Sequence, residues 1–230
     1  MDLILSSGFL AFARHLGAIE AILQAGVHVD ALVGTSSGAL VGALYQAGLS
    51  TDTIARLLSE RPPVYFMRPH ARPWQGLFSL HPLVRLLDRH LPRTFEQLSR
   101  PLALGVCDER GKHRLIHSGD LVPALLASMA IPRVFPPVSL QGIKYADGGV
   151  VDRTGTGAWR VWRPDTDAIV HVVDRTRGRE IAFGTSRITL VRTPRSHAKF
   201  WSLGDFRAQQ LEARRLVETQ LAPVFGALTR

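Results

Sequence analysis

Ala31-Leu-Val-Gly-Thr-Ser-Ser-Gly-Ala-Leu-Val-Gly-Ala-Leu-Tyr-Gln-Ala47 decides how this chain is read. Asp30 to Val33 is short and apolar, as a buried strand is, and from Ser36 or Ser37 to about Ala47 the residues suit a helix. The turn between them is G-x-S-x-G. A side chain at Gly34 or Gly38 would crowd so sharp a turn, and the turn projects the Ser36 hydroxyl from the sheet edge. The helix start that follows offers free N–H groups and a positive dipole end to a developing oxyanion. A plainer role is open to the same residues, with Ser36 or Ser37 as a simple N-cap. Residues 31 to 49 form an uncharged run of 19, and Gly34, Gly38 and Gly42 repeat at the spacing of a membrane helix contact. The glycines, Thr35, Ser36, Ser37 and Gln46, with Asp30 adjoining, favour a strand, turn and helix outside a membrane.

Leu3 to Leu5 reads as a strand ending in Ser6-Ser7-Gly8, and a helix follows from about Leu10 to Gln24, stopped by Gly26. Ser50 caps a helix from Thr51 to about Glu60. This β-α-β-α opening predicts parallel strands and an α/β fold, with residues 1–230 as one domain. Downstream come a helix from Pro82 to Leu91 and strands at Leu102 to Val106 and Arg114 to His117. A helix capped by Asp120 runs from Leu121 to about Met129. Strands follow at Ile143 to Ala146, Ala168 to Val173 and Ile188 to Arg192, then a closing helix from about Gly204 to Leu221. Arg61 to Ser79, broken by Pro62, Pro63, Pro69 and Pro73, reads as a loop, either a flap over a pocket or a surface excursion.

With 46% hydrophobic and 20% charged residues in 230, the chain can bury a core, which excludes a disordered or fibrous protein. Cys107 is the single cysteine, so a disulfide framework and a Cys-rich zinc site are excluded. A net charge of +9 favours anionic partners, but it is dispersed without a basic run, so no nucleic acid partner is expected. The N-terminus lacks the basic region of a secretory signal, and a cytoplasmic protein without a transmembrane segment is expected. His113 and His117 stand four apart on a strand, where they diverge, and no phosphate-loop spacing occurs. No metal and no cofactor are expected.

The second motif is Tyr145-Ala-Asp-Gly-Gly149. Gly148 and Gly149 let the backbone turn tightly and leave the Asp147 carboxylate uncrowded. An ordinary Asp, with pKa about 3.9, is a weak base for a hydroxyl, so the role needs a shielded cleft. Taken alone, an Asp-Gly turn serves equally well.

Residues 3 to 8, Gly17, Gly34 to Gly38, Ala127-Ser-Met-Ala-Ile-Pro132 with Phe135-Pro-Pro137, and Asp147 to Gly149 occur in the order and spacing of the patatin-like phospholipases. The chain resembles that family over about residues 3 to 152. The resemblance implies a three-layer α/β sandwich with a mostly parallel central sheet. It also implies a lipid acyl hydrolase of the phospholipase A, lysophospholipase or esterase type, working through an acyl-enzyme with a Ser-Asp dyad. By position, Ser36 resembles the nucleophile and Asp147 the base, and the oxyanion donors fall on the backbone of Gly8, Phe9 and Ser37.

Two stretches depart from the pattern. Where the family carries G-G-x-[RK]-G, this chain has Gly8-Phe-Leu-Ala-Phe12. A phenylalanine there would be strained if positive φ were needed, and Arg14 is the residue placed to replace the missing charge. Asp152-Arg-Thr-Gly155 replaces the usual Asn-containing turn. The altered loop keeps open a catalytically weak or inactive lipid- or protein-binding member. Another alternative is an α/β-hydrolase triad of Ser36, Asp147 and His171 or His197, although too few strands precede the serine for it. A lipid or acyl-ester substrate and an anionic membrane surface are the expected partners. The +9 charge and the 61 to 78 aromatics would make the contact, with the C-terminal helix as a rival.

Overall fold

A computed structural model of the chain describes residues 1–175 and 187–226. The first half alternates β1 (Asp2–Leu5), α1 (Phe12–Gln24), β2 (Leu32–Thr35), α2 (Ser37–Gln46) and α3 (Thr51–Ser59). A small hairpin of β3 (Arg68–Pro69) and β4 (Phe78–Ser79) leads to α4 (His81–His90), β5 (Leu102–Asp108), β6 (His113–Ile116) and α5 (Leu121–Ser128). Then come β7 (Val138–Leu140), β8 (Ile143–Asp147), α6 (Thr156–Trp162), β9 (Ala168–Val173), β10 (Ile188–Thr193) and α7 (Phe206–Phe225).

The central sheet runs β10-β9-β1-β2-β5-β8-β7, with β6 also on β5. The pairs from β10 to β5 are parallel, and those of β5 with β6, β5 with β8 and β7 with β8 are antiparallel. The mostly parallel α/β sheet is therefore present. Its inner strands are buried on both faces, as continuous apolar runs require. Alternation along β1 divides the core: Leu3 and Leu5 face the layer of α1, α2 and α7, whereas Ile4 faces Val33, Val170 and Trp159 of α6. Trp159 is fully buried and donates its indole N–H to Asp2 at 2.8 Å, and Arg163 pairs with the same carboxylate.

Three expectations change. The 61 to 79 segment is not plain loop, because Arg68 and Pro69 pair with Ser79 and Phe78, and Pro63–Phe66 is a 3-10 turn. Asp120 stands before α5 but its side chain makes no capping bond; instead Asp120 bridges Thr94. Strand β7 and helix α6 are additions to the expected elements, since each is short and α6 opens with Thr-Gly rather than an apolar stripe. Ser50 does cap α3, accepting from the Thr53 N–H at 3.2 Å.

Helix α7 packs along α1 with Ala213, Val217 and Leu221 buried, so its apolar face is spent on the protein's own core. The contact is close at Gly17, where an added Cβ would lie 2.1 Å from the Gln210 carbonyl oxygen. Gly17→Ala should therefore force the helices apart and cost about 1–3 kcal/mol. Urea denaturation checks this, and an unchanged midpoint would contradict the packing.

Candidate active site

Ser36 sits between β2 and α2 with φ 55 and ψ −116, a conformation non-glycine residues rarely adopt. Its neighbours must be glycines for a measurable reason. A Cβ on Gly34 would come within 2.6 Å of Ala39 Cα, and one on Gly38 within 2.5 Å of the Leu5 carbonyl oxygen. Ser36 holds the N-cap position, yet its hydroxyl caps nothing. Its N–H donates to Ser128 Oγ at 3.0 Å, and that hydroxyl donates to the Gly105 carbonyl at 2.7 Å. Ser128, fully buried at the end of α5, carries no site signal in the sequence beyond its place in the Ala127 to Pro132 block.

Sheet register explains why Asp147 arrives beside Ser36. Strand β2 ends with Thr35 opposite Gly105, whereas β8, running the other way, ends with Asp147 opposite Val106. Because β6 occupies the far edge of β5, β2 and β8 share one edge and meet end to end. The residues leaving both strands are thereby brought together. Asp147 is buried, and burial raises its pKa, with the Ser36 hydroxyl, the Gly149 N–H and Arg175 opposing the rise. Its Oδ1 also accepts from the Gly149 N–H at 2.8 Å. Gly148 and Gly149 are needed for close approach: a Cβ would lie 2.6 Å from the Gly105 carbonyl carbon and 2.5 Å from Ser7 Oγ respectively.

The β1 exit forms the third wall. The N–H groups of Ser6 and Ser7 are taken by the carbonyls of His171 and Arg153. Those of Gly8 and Phe9 donate to nothing among the described residues, and the first N–H groups of α2, Ser37 included, have no partner within the helix. The condition for strain at Phe9 is not met, since neither Gly8 nor Phe9 has positive φ; the positive φ falls on Leu10, at 48. Arg14 does not replace the missing loop charge. It is fully buried and turned onto α7, bonding the Gln209 carbonyl and Glu212.

His171 does not contact Ser36. Its Nε2 meets Thr193 Oγ1 at 2.9 Å and its Nδ1 meets His15 Nδ1 at 3.0 Å, while His15 Nε2 reaches Ser37 Oγ at 3.2 Å. This buried chain ends on the neighbour of Ser36. Both histidines are held neutral, His15 by burial and then by His171 and Arg153, and His171 by burial and then Arg14, down to about 3. Neutral rings suit the chain, because each can donate from one nitrogen and accept at the other. His15, which carried no site signal in the sequence, is its middle link. His197 is exposed and lines no part of the site.

A cavity of about 760 Å³ opens over these groups. Ser7, Gly8, Ser36, Ser37 and Asp147 line it, along with the apolar side chains of Phe9, Phe12, Leu40, Leu58, Leu83, Met129 and Phe135. Among the described residues no histidine lines it. Phe66, from the 61 to 79 segment, lines it, and so does Arg61, which stacks on Tyr65. Among the described residues no cluster of His, Cys, Asp and Glu could hold a metal ion.

The family model for the patatin-like phospholipases matches residues 3–158. An uncharacterized NTE family protein of Mycobacterium bovis is 31% identical over 153 residues, which cover 65% of this chain and 42% of that protein. Neuropathy target esterase sws of Drosophila grimshawi is 29% identical over 161 residues, 66% of this chain and 11% of that protein. The chain thus spans less than half the length of these relatives. In fold, it is similar to VipD from Legionella pneumophila with a TM-score of 0.61 at 12% identity, over 96% of this chain and 66% of that one.

The neutral histidine pair has a consequence for stability. Unfolded histidines bind a proton near pH 6.5, whereas in the folded protein both are held well below that. The unfolded state therefore binds more protons below about pH 6.5, and stability falls as pH drops from 7 toward 5. Urea midpoints should show this fall, with a flatter slope in the His15→Gln, His171→Asn double variant. Equal slopes would contradict the neutral pair.

Proposed function

The chain belongs to the patatin-like phospholipase family, and on that premise we propose that it is a lipid acyl hydrolase using Ser36 as nucleophile and Asp147 as base. The observation that carries this reading is the end-to-end meeting of β2 and β8 beneath an apolar cavity. Asp147 takes the Ser36 proton as Oγ attacks the ester carbonyl, and its raised pKa makes it a stronger base than an exposed carboxylate. The N–H groups of Ser37, Gly8 and Phe9 receive the oxyanion. As the tetrahedral intermediate collapses, Asp147 returns the proton to the leaving alkoxide, leaving an acyl group on Ser36. Water, deprotonated by Asp147, then releases the fatty acid. The apolar side chains that line the cavity take the acyl chain. A dyad is favoured over a triad because no histidine among the described residues lines the cavity, and the two unpaired N–H groups at Gly8 and Phe9 favour catalysis over a purely binding role.

The substrate must reach the site from a lipid surface. Phe9 and Val150 line the cavity and are about half exposed, and Trp201 and Trp74 stand out at 68% and 79% exposure. Together with Arg61, Arg68 and Arg72, exposed on the segment that carries Trp74, these residues form the contact to an anionic bilayer. No helix of the described residues is long and apolar enough to cross one.

Ser36→Ala and Asp147→Asn should each lower turnover of an acyl ester by about 10³-fold or more, in line with losses from dismantled nucleophile–base pairs. Activity should fall as pH drops through the Asp147 pKa, which burial places above 3.8. Wild-type rates in either variant would defeat the dyad. Vesicle co-sedimentation should rise with anionic lipid and fall with salt, and it should weaken when Arg68, Arg72 and Trp74 are replaced together, at about 1 kcal/mol per arginine. Equal binding to neutral vesicles would contradict the charged contact.

A further inference from the structure

Arg153 lies in the turn after β8, and its side chain, not only its backbone carbonyl, reaches across to the β1 exit. Nη2 donates to the Ser7 carbonyl at 2.6 Å and to the Val173 carbonyl at 2.5 Å, and Nε meets Ser7 Oγ at 3.4 Å. The Arg153 backbone carbonyl accepts the Ser7 N–H at 2.7 Å. Ser7 is thus held at its N–H, its carbonyl and its hydroxyl by one residue. Ser6 Oγ adds a bond to the same carbonyl at 3.2 Å and accepts the Val173 N–H, closing a ring of contacts between β1 and β9.

The peptide linking Ser7 to Gly8 is trans, since no peptide bond among the described residues is cis, and a trans peptide is planar. Its carbonyl and the Gly8 N–H therefore point in opposite directions. Fixing one fixes the other. We propose that Arg153 is a positioning residue: by tying the Ser7 carbonyl back to β9, it aims the Gly8 N–H into the cavity as an oxyanion donor. This rests on the Ser36–Asp147 reading. A rotated Ser7–Gly8 peptide would present a carbonyl oxygen where negative charge develops, removing a donor and adding repulsion.

The surroundings support a fixed task for this cation. Arg153 is half-buried and makes no ion pair among the described residues, and burial, with Arg175 and Arg192 nearby, lowers its pKa to about 10. Asp174 partly offsets this. Its side chain bonds carbonyl and hydroxyl oxygens, which suits a guanidinium used as a clamp.

The test uses the full chain with Arg153→Met and Arg153→Lys, read in two ways. Exchange of the Ser6 and Ser7 amide protons by NMR should be about tenfold faster in Arg153→Met and near wild type in Arg153→Lys, whose three ammonium donors can reach both carbonyls. With an activated acyl ester, Arg153→Met should lose about 10²-fold in kcat with KM nearly unchanged, and Arg153→Lys should recover most of it. Unchanged amide exchange in Arg153→Met overturns the proposal whatever the activity. Faster exchange with wild-type kcat overturns it too. A wild-type protein without turnover overturns the Ser36–Asp147 reading alone, and the exchange data still decide whether Arg153 holds the turn.

Discussion

Everything in this site depends on a backbone that would rather be elsewhere. Ser36 at φ 55 carries a cost of about 1–3 kcal/mol, and it persists because its surroundings leave no alternative. Ahead of it, β2 is locked between β1 and β5, and behind it α2 is buried along its length. The helix can lie this close to the sheet only because Gly34 and Gly38 have no side chain. Packing of Leu40, Ala43 and Leu44 into the main core offsets the strain and delivers a hydroxyl free of capping duty to the sheet edge.

The second half of the site follows from strand register. One edge of β5 serves β2 as far as Gly105 and β8 from Val106 onward, so two chain segments far apart in sequence finish at adjacent rungs. Around that junction Thr35 Oγ1, opposite Gly105, is buried without a partner, whereas the polar groups nearer Ser36 bond neutral or backbone partners. Ser128 bridges Ser36 to Gly105, and the Thr193–His171–His15–Ser37 chain braces the start of α2. Placing a carboxylate in such a setting raises its pKa, the direction that the proposed base role requires. The cost of burying it is part of what makes it useful.

Much of this was legible in the residues. Strands β1, β2, β5 and β9 are apolar runs bounded by turn residues, and the glycines of both motifs announced close approach before any contact could be measured. What the sequence hid was long-range. Arg14, a turn away from Ala11, looked available to the site, but its direction is set by α7, nearly two hundred residues later. The positive φ of this loop falls on Leu10 and not on Phe9, because one residue of phase in a turn cannot be read from residue types. His15 and Ser128 carry no signal of their own, and their roles exist only once strands and helices are stacked. Short elements such as β7 and α6 offered too few residues for periodicity to register.

The central claim is that Ser36 is the residue that becomes acylated. Intact-mass and peptide-mapping spectrometry after reaction with a slowly released acyl or phosphonyl ester tests it most directly. The account predicts a single adduct on the peptide bearing Ser36, localised to its side chain. No adduct, or one on Ser7, Ser37 or Ser128, would contradict it.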